Sequence, residues 1–134
     1  MAETAILPIL EPIPYLTGVI PIDLLLDSTT EGDWAVLSVK GDVDIYTAPR
    51  LRERIIQLAD EGRRRVVADL QGVEFMDSTG LSVLVAGLKR LKENEGVLAL
   101  VVTREPVLRI LTITGLDRVF PIYSDLAAAT ASSD

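Results

Sequence analysis

The residues able to do chemistry are concentrated in two short loops, Gly41-Asp42-Val43-Asp44-Ile45-Tyr46-Thr47-Ala48-Pro49 and Phe75-Met76-Asp77-Ser78-Thr79-Gly80-Leu81. The second loop places a hydroxyl, Ser78, directly after an acid and directly before a stretch of helical periodicity. Read as the N-cap of that helix, Ser78 lies beside unpaired backbone N–H groups at the positive end of the helix dipole. Such a position favours an anion, phosphate included. The same Asp77-Ser78 pair also reads as a plain cap, because both residue types are favoured before helices. Gly80 in the first turn costs up to ~1 kcal/mol relative to Ala, a cost that close approach by a partner or a phosphate would explain. Thr79 and Ser82 keep this rim of the helix rich in hydroxyls. In the first loop, Asp42 and Asp44 alternate onto one side of the chain. They read either as a turn acid and an Asx cap or as functional carboxylates. A paired-carboxylate acid–base role finds no support in the surrounding sequence. A magnesium site drawn from Asp42, Asp44 and Asp77 would be short of oxygens.

Composition narrows the chemistry further. The chain has 134 residues, enough for one domain with one well-buried core. It contains no Cys and no His. That removes disulfides, thiolate or imidazole metal sites, cysteine nucleophiles and the Ser-His-Asp triad. Neither a GxxxxGK[ST] nor a GxGxxG run occurs, so both familiar phosphate-cradling loops are missing. The net charge of −7 argues against a nucleic-acid surface. Residues 1–39 hold six acids and no base, while the rest holds 14 acids and 13 bases, so the N-terminal third carries nearly all the excess. With nothing basic before Lys40 there is no signal-peptide n-region. The longest apolar-rich run, Pro12 to Ile22, is eleven residues with three prolines, too short and too broken to span a membrane. A cytoplasmic protein without a membrane association is expected.

The elements that must position the loops follow from periodicity. Residues 1–21 hold four prolines (Pro8, Pro12, Pro14, Pro21), which block helix and central strand. They also hold nine large apolar residues, so this arm is expected either to pack on its own domain or a partner chain, with weak self-association, or to trail freely. A domain over 22–126 and a polar tail over 127–134 are expected to follow. Ile22 to Ser28 and Trp34 to Lys40 read as strands of a hairpin around Thr29–Asp33. Thr47, with Pro49 in the first turn, starts a helix whose apolar face is Leu51, Ile55, Leu58 and Ala59, ending at Gly62. Arg65 to Leu70 is a buried strand. Leu81, Leu84, Val85, Leu88 and Leu91 mark a strong amphipathic helix ending at Gly96. Val97 to Val102 is a second buried strand, parallel to the first. Thr103 is expected to cap a third helix ending at Gly115. Val119 to Ile122, a short Ala-rich helix and the tail complete an α/β domain with a mixed sheet.

Gly41-Asp42-Val43-Asp44, then Thr47-Ala48-Pro49, then Met76-Asp77-Ser78-Thr79-Gly80-Leu81 in this strand–helix order resemble bacterial anti-sigma factor antagonists of the STAS family. The resemblance runs from about Ile22 to about Leu126. It implies a STAS-like α/β fold, a mixed sheet of four to five strands with helices mainly on one face. It implies no catalytic activity, no metal and no cofactor. By motif match, Ser78 is the phosphorylation site, Asp77 the acid before it, and Asp44 the acid beside the phosphoacceptor. Thr79 and Gly80 match the partner-facing helix start, and Ser82 stands where many members have Gly. The implied partners are an anti-sigma factor with ATP-dependent serine kinase activity and a PP2C-type phosphatase. The unphosphorylated protein would hold the anti-sigma factor and free a sigma factor, regulating transcription by partner switching. Two alternatives remain at this point. One is a STAS subunit of a larger lipid-transport or stressosome-like assembly. The other is a nucleotide-binding phosphotransfer protein using Asp42, Asp44 and Asp77 around Mg²⁺.

Overall fold

The computed structural model describes residues 24–131, so the arm expected over 1–21 lies outside the described residues. Two strands, β1 (Leu25–Glu31) and β2 (Trp34–Val43), form an antiparallel hairpin. Gly32 supplies a φ of 62° at the first position of its two-residue turn, where hairpins of this kind favour glycine. The remaining elements are α1 (Ala48–Asp60), β3 (Arg65–Met76), α2 (Ser78–Lys92), β4 (Val97–Val101), α3 (Glu105–Ile113), β5 (Ile122–Tyr123) and α4 (Leu126–Thr130). The five strands lie side by side in chain order, with β2, β3, β4 and β5 parallel.

Strand alternation sorts the apolar residues onto two faces. Ala35, Leu37 and Val39 of β2 join Val66, Ala68 and Leu70 of β3 and Leu98 and Leu100 of β4 in the main core. Leu51 and Ile55 of α1, Leu84 and Leu88 of α2, and Val107 and Leu111 of α3 close over it. Gly87 lets α1 and α2 come together, since a Cβ there would meet Ile55 Cγ2 at 2.5 Å. The opposite face carries a smaller cluster of Trp34, Val67, Ala99 and Val101 under Ala129 of α4. Three of the four helices therefore cover one face, the mixed sheet and one-sided helix layer expected from the sequence. Among the described residues, no helix is long and apolar enough to cross a membrane.

Several local expectations are corrected. β3 continues past Leu70 to Met76, because Gly72 and Val73 pair with Lys40 and Gly41 of an equally extended β2. The last strand is Ile122–Tyr123, since a 3-10 turn over Leu116–Arg118 occupies the approach to it. The N-cap of α3 is Arg104, with no side-chain cap bond, not Thr103. At the end of α2, the left-handed residue is Glu95 (φ 59°). Gly96 is needed instead for closeness, as a Cβ would lie 2.8 Å from Arg64 O and 2.9 Å from Leu91 O. At the boundary expected at 126, α4 begins, and its Ala129 is buried.

Candidate functional site

The two chemically rich loops leave neighbouring parallel strands at their carboxyl ends, where open α/β sheets place their sites. Val43 at the end of β2 is in register with Met76 at the end of β3. One residue on, the Asp77 N–H donates to Val43 O at 3.1 Å. The loops are thus joined through backbone.

Asp77, not Ser78, is the N-cap of α2. Its Oδ1 accepts from Thr79 N at 2.9 Å and from Gly80 N at 3.2 Å. Leu81 N–H is already bonded to Asp77 O. The carboxylate of Asp77 therefore fills the anion site that the helix start would otherwise offer. Ser78 is the first helical residue and is exposed, and its hydroxyl has no hydrogen-bond partner among the described residues. Thr79 is half-buried. Gly80 is fully covered, and a Cβ there would meet Met76 Cγ at 2.6 Å and Val43 Cγ1 at 2.8 Å. The glycine is thus explained by the crossing of α2 over the two strand ends, and the approach of a partner or phosphate is not needed to account for it. Ser82 lies exposed one turn further, on the rim of an open groove of about 550 Å³. The groove runs along α2 past Val85 to Lys89 and is closed on its far side by Thr114 and Leu116. This groove escapes a sequence reading, because α2 and the end of α3 meet only in three dimensions.

In the first loop the carboxylate of Asp44 turns onto its own backbone. Its Oδ1 accepts from Tyr46 N at 2.9 Å and Thr47 N at 3.1 Å, the geometry of an Asx turn. Thr47 gives α1 no side-chain cap. Its Oγ1 donates instead to Asp42 O at 2.7 Å and accepts from Asp44 N at 3.0 Å, tying the loop to itself. Asp42 is exposed, and among the described residues no three acids are grouped as a cation site. The loop so pinned presents Ile45 and Tyr46, 63% and 87% exposed. Sequence reasoning passed over these two, and the signal was available: large apolar residues between Asp44 and Thr47, in a loop too short to bury them.

The fold has counterparts among known proteins. The STAS domain family model matches residues 26–129. The anti-sigma-B factor antagonist of Staphylococcus aureus is 34% identical over 95 residues, covering 71% of this chain and 88% of that protein. The crystal structure of an anti-sigma factor antagonist from Mycobacterium paratuberculosis superposes with a TM-score of 0.77 at 33% identity, over 84% of this chain and 96% of that one. The Bacillus cell fate determinant SpoIIAA in its phosphorylated form shares the fold, with a TM-score of 0.62 at 16% identity over 81% of this chain and 97% of that one. The matched span takes in all five strands and both site loops nearly end to end, and the chain belongs to the STAS domain family, alongside the anti-sigma factor antagonists.

Proposed function

We propose that this protein is a phosphoserine-switched anti-sigma factor antagonist and that Ser78 carries the switch. The observation behind the reading is the free, exposed Ser78 hydroxyl at the first position of α2, on a backbone fixed by Asp77. In the unphosphorylated state the surface around Ser78 binds an anti-sigma factor that is also a serine kinase, and a sigma factor is released. The kinase then transfers the γ-phosphoryl group of ATP to Ser78 Oγ, with loss of the hydroxyl proton and release of ADP. Hydrolysis by a PP2C-type phosphatase returns the hydroxyl. Ser78, Thr79 and Ser82 supply the polar part of the bound surface, with Asp44 and Asp77 shaping its two loops.

The electrostatics favour a switch that acts on binding. Phosphate adds about −1.5 to −2 charges. The amides of Thr79 and Gly80 are already held by Asp77, so the new group gains little from the helix start and meets a like charge. Exposed to water, that repulsion is weak, of order 1 kcal/mol. Under a docked partner the phosphate must be desolvated beside Asp77, and an imperfectly paired buried charge costs several kcal/mol. The domain therefore stays folded while the complex is lost.

Phosphopeptide mapping of the protein recovered from its native cells tests the assignment. Phosphate on Ser78, absent from Ser78→Ala, is expected. Phosphate on Thr79, or phosphate persisting in Ser78→Ala, would overturn it.

A further inference from the structure

The face of the sheet opposite α1–α3 is only half covered. α4 lies over its β3–β4 side, on Trp34, Val67, Ala99 and Val101. The β1–β2 side is open at the carboxyl end of the parallel strands. There a lateral row crosses three strands, Leu25 opposite Lys40 and Lys40 opposite Gly72. The row lies in a groove of about 340 Å³ that also includes Gly41 and, at its rim, Asp42, Glu74 and Arg104. Leu25 is 60% exposed within it, although its neighbours Leu24 and Leu26 face the main core. Lys40 has no ion pair among the described residues, while Arg104 has a long one, 3.9 Å to Glu74, and donates from Nε to Gln71 O at 3.3 Å.

We propose that this groove is the docking site of the chain's own N-terminal segment, through residues 16–22. The described chain begins at Leu24, directly before Leu25 in the lining of the groove. Seven extended residues reach roughly 23–25 Å, ample for a row that crosses three strands about 4.8 Å apart. The chemistry is complementary. Leu16, Val19, Ile20 and Ile22 supply apolar surface for Leu25 and the aliphatic stem of Lys40. Residues 16–22 carry no charge, which suits a groove whose two bases, Lys40 and Arg104, are matched by two acids, Asp42 and Glu74. Pro21 suits an extended run laid across a sheet face, where no ladder hydrogen bond is asked of it. The Ser78 groove lies on the other side of the sheet with α2, so docking here leaves the switch open. The inference is independent of the reading of Ser78.

The absence of Cys makes the test direct, because one introduced thiol takes a spin label at a single place. In full-length Thr17→Cys carrying a nitroxide, the amide signals of Lys40, Gly41 and Gly72 should lose most of their intensity. Those of Ser82, Val85 and Lys89 should keep theirs. Adding Leu25→Asp, a change at an exposed site, should restore the lost signals. Broadening along α2, or no localised broadening, would overturn the proposal. So would broadening that survives only between spin-labelled and separately isotope-labelled molecules in a mixed sample, since the occupant would then be a second copy.

Discussion

The β2–α1 and β3–α2 loops use one device for two purposes. Each has an aspartate, Asp44 or Asp77, whose Oδ1 accepts two backbone amides two and three residues on. Each is therefore a fixed turn at a strand end. They differ in what the turn holds out. After Asp44 come Ile45 and Tyr46, both exposed, while the hydroxyl of Thr47 is spent inside the loop. After Asp77 comes Ser78, whose hydroxyl is exposed and unspent, while Gly80 is sealed against Val43 and Met76. One loop offers apolar contact area and the other an exposed hydroxyl. On the proposed reading, a partner that contacts both would gain affinity from the first and be controlled through the second.

The comparison breaks most visibly at Ser78. Ser78→Asp should weaken binding of the anti-sigma factor kinase by roughly 100-fold, the scale of a poorly compensated buried charge, with a melting temperature within a few degrees of the parent. Calorimetric titration and a thermal scan on the same samples check both halves. Gly80→Ala comes next, in stability: the added methyl must displace Val43 and Met76, costing about 1–3 kcal/mol, set against helix propensity worth up to ~1 kcal/mol. A urea titration with an unchanged denaturant slope would show it. Tyr46→Ala should lower partner affinity about tenfold, as a modest aromatic contact does, and leave unfolding unaltered. If Tyr46→Ala binds like the parent, the apolar loop is not part of the bound surface. Asp77→Ala should cost about 1 kcal/mol of folding free energy as a lost cap, with Asp77→Asn costing far less. Ser78→Ala should be nearly neutral for folding, since the cap is the residue before it. Asp44→Asn should likewise cost a few tenths of a kcal/mol at most, because an amide oxygen still accepts from Tyr46 N and Thr47 N. A clear drop in the rate of Ser78 phosphorylation in Asp44→Asn, at that unchanged stability, would give the Asp44 charge a role beyond its turn.

Much of the fold is legible along the chain because its elements are locally marked. Leu81, Leu84, Leu88 and Leu91 trace the buried side of α2, and Arg65 to Leu70 and Val97 to Val101 lie where their apolar runs place them. Misreadings arise where two residues share a propensity or a partner lies far off in sequence. Asp77 and Ser78 both suit an N-cap, and only the two amides gathered by Asp77 choose between them. Glycine commonly terminates a helix, yet at the end of α2 Glu95 takes the left-handed turn and Gly96 answers to Arg64, thirty-two residues away. Gln71-Gly72 looks like the end of a strand until β2 is beside it. The site divides along the same line. Ser78 and the aspartates are visible as types at a spacing, whereas the groove beside Ser82 and the packing of Gly80 exist only once the chain is folded.

The strand order carries a consequence for how the molecule is made. Because the sheet runs β1-β2-β3-β4-β5, every strand pairs with the one before it, and none has to be inserted between two already paired. Sheets that must wait for a distant strand pay loop-closure entropy before any contact rewards it. Here the hairpin can form first, and each βα step then adds one strand to a growing edge as the chain lengthens. The exposed edge moves outward with synthesis and finishes at β5, two residues long and flanked by α4. A nascent chain built this way leaves the outer edge of β2, β3 or β4 open only until the next strand arrives, which limits mispairing there, while β1 keeps the opposite edge of the finished sheet.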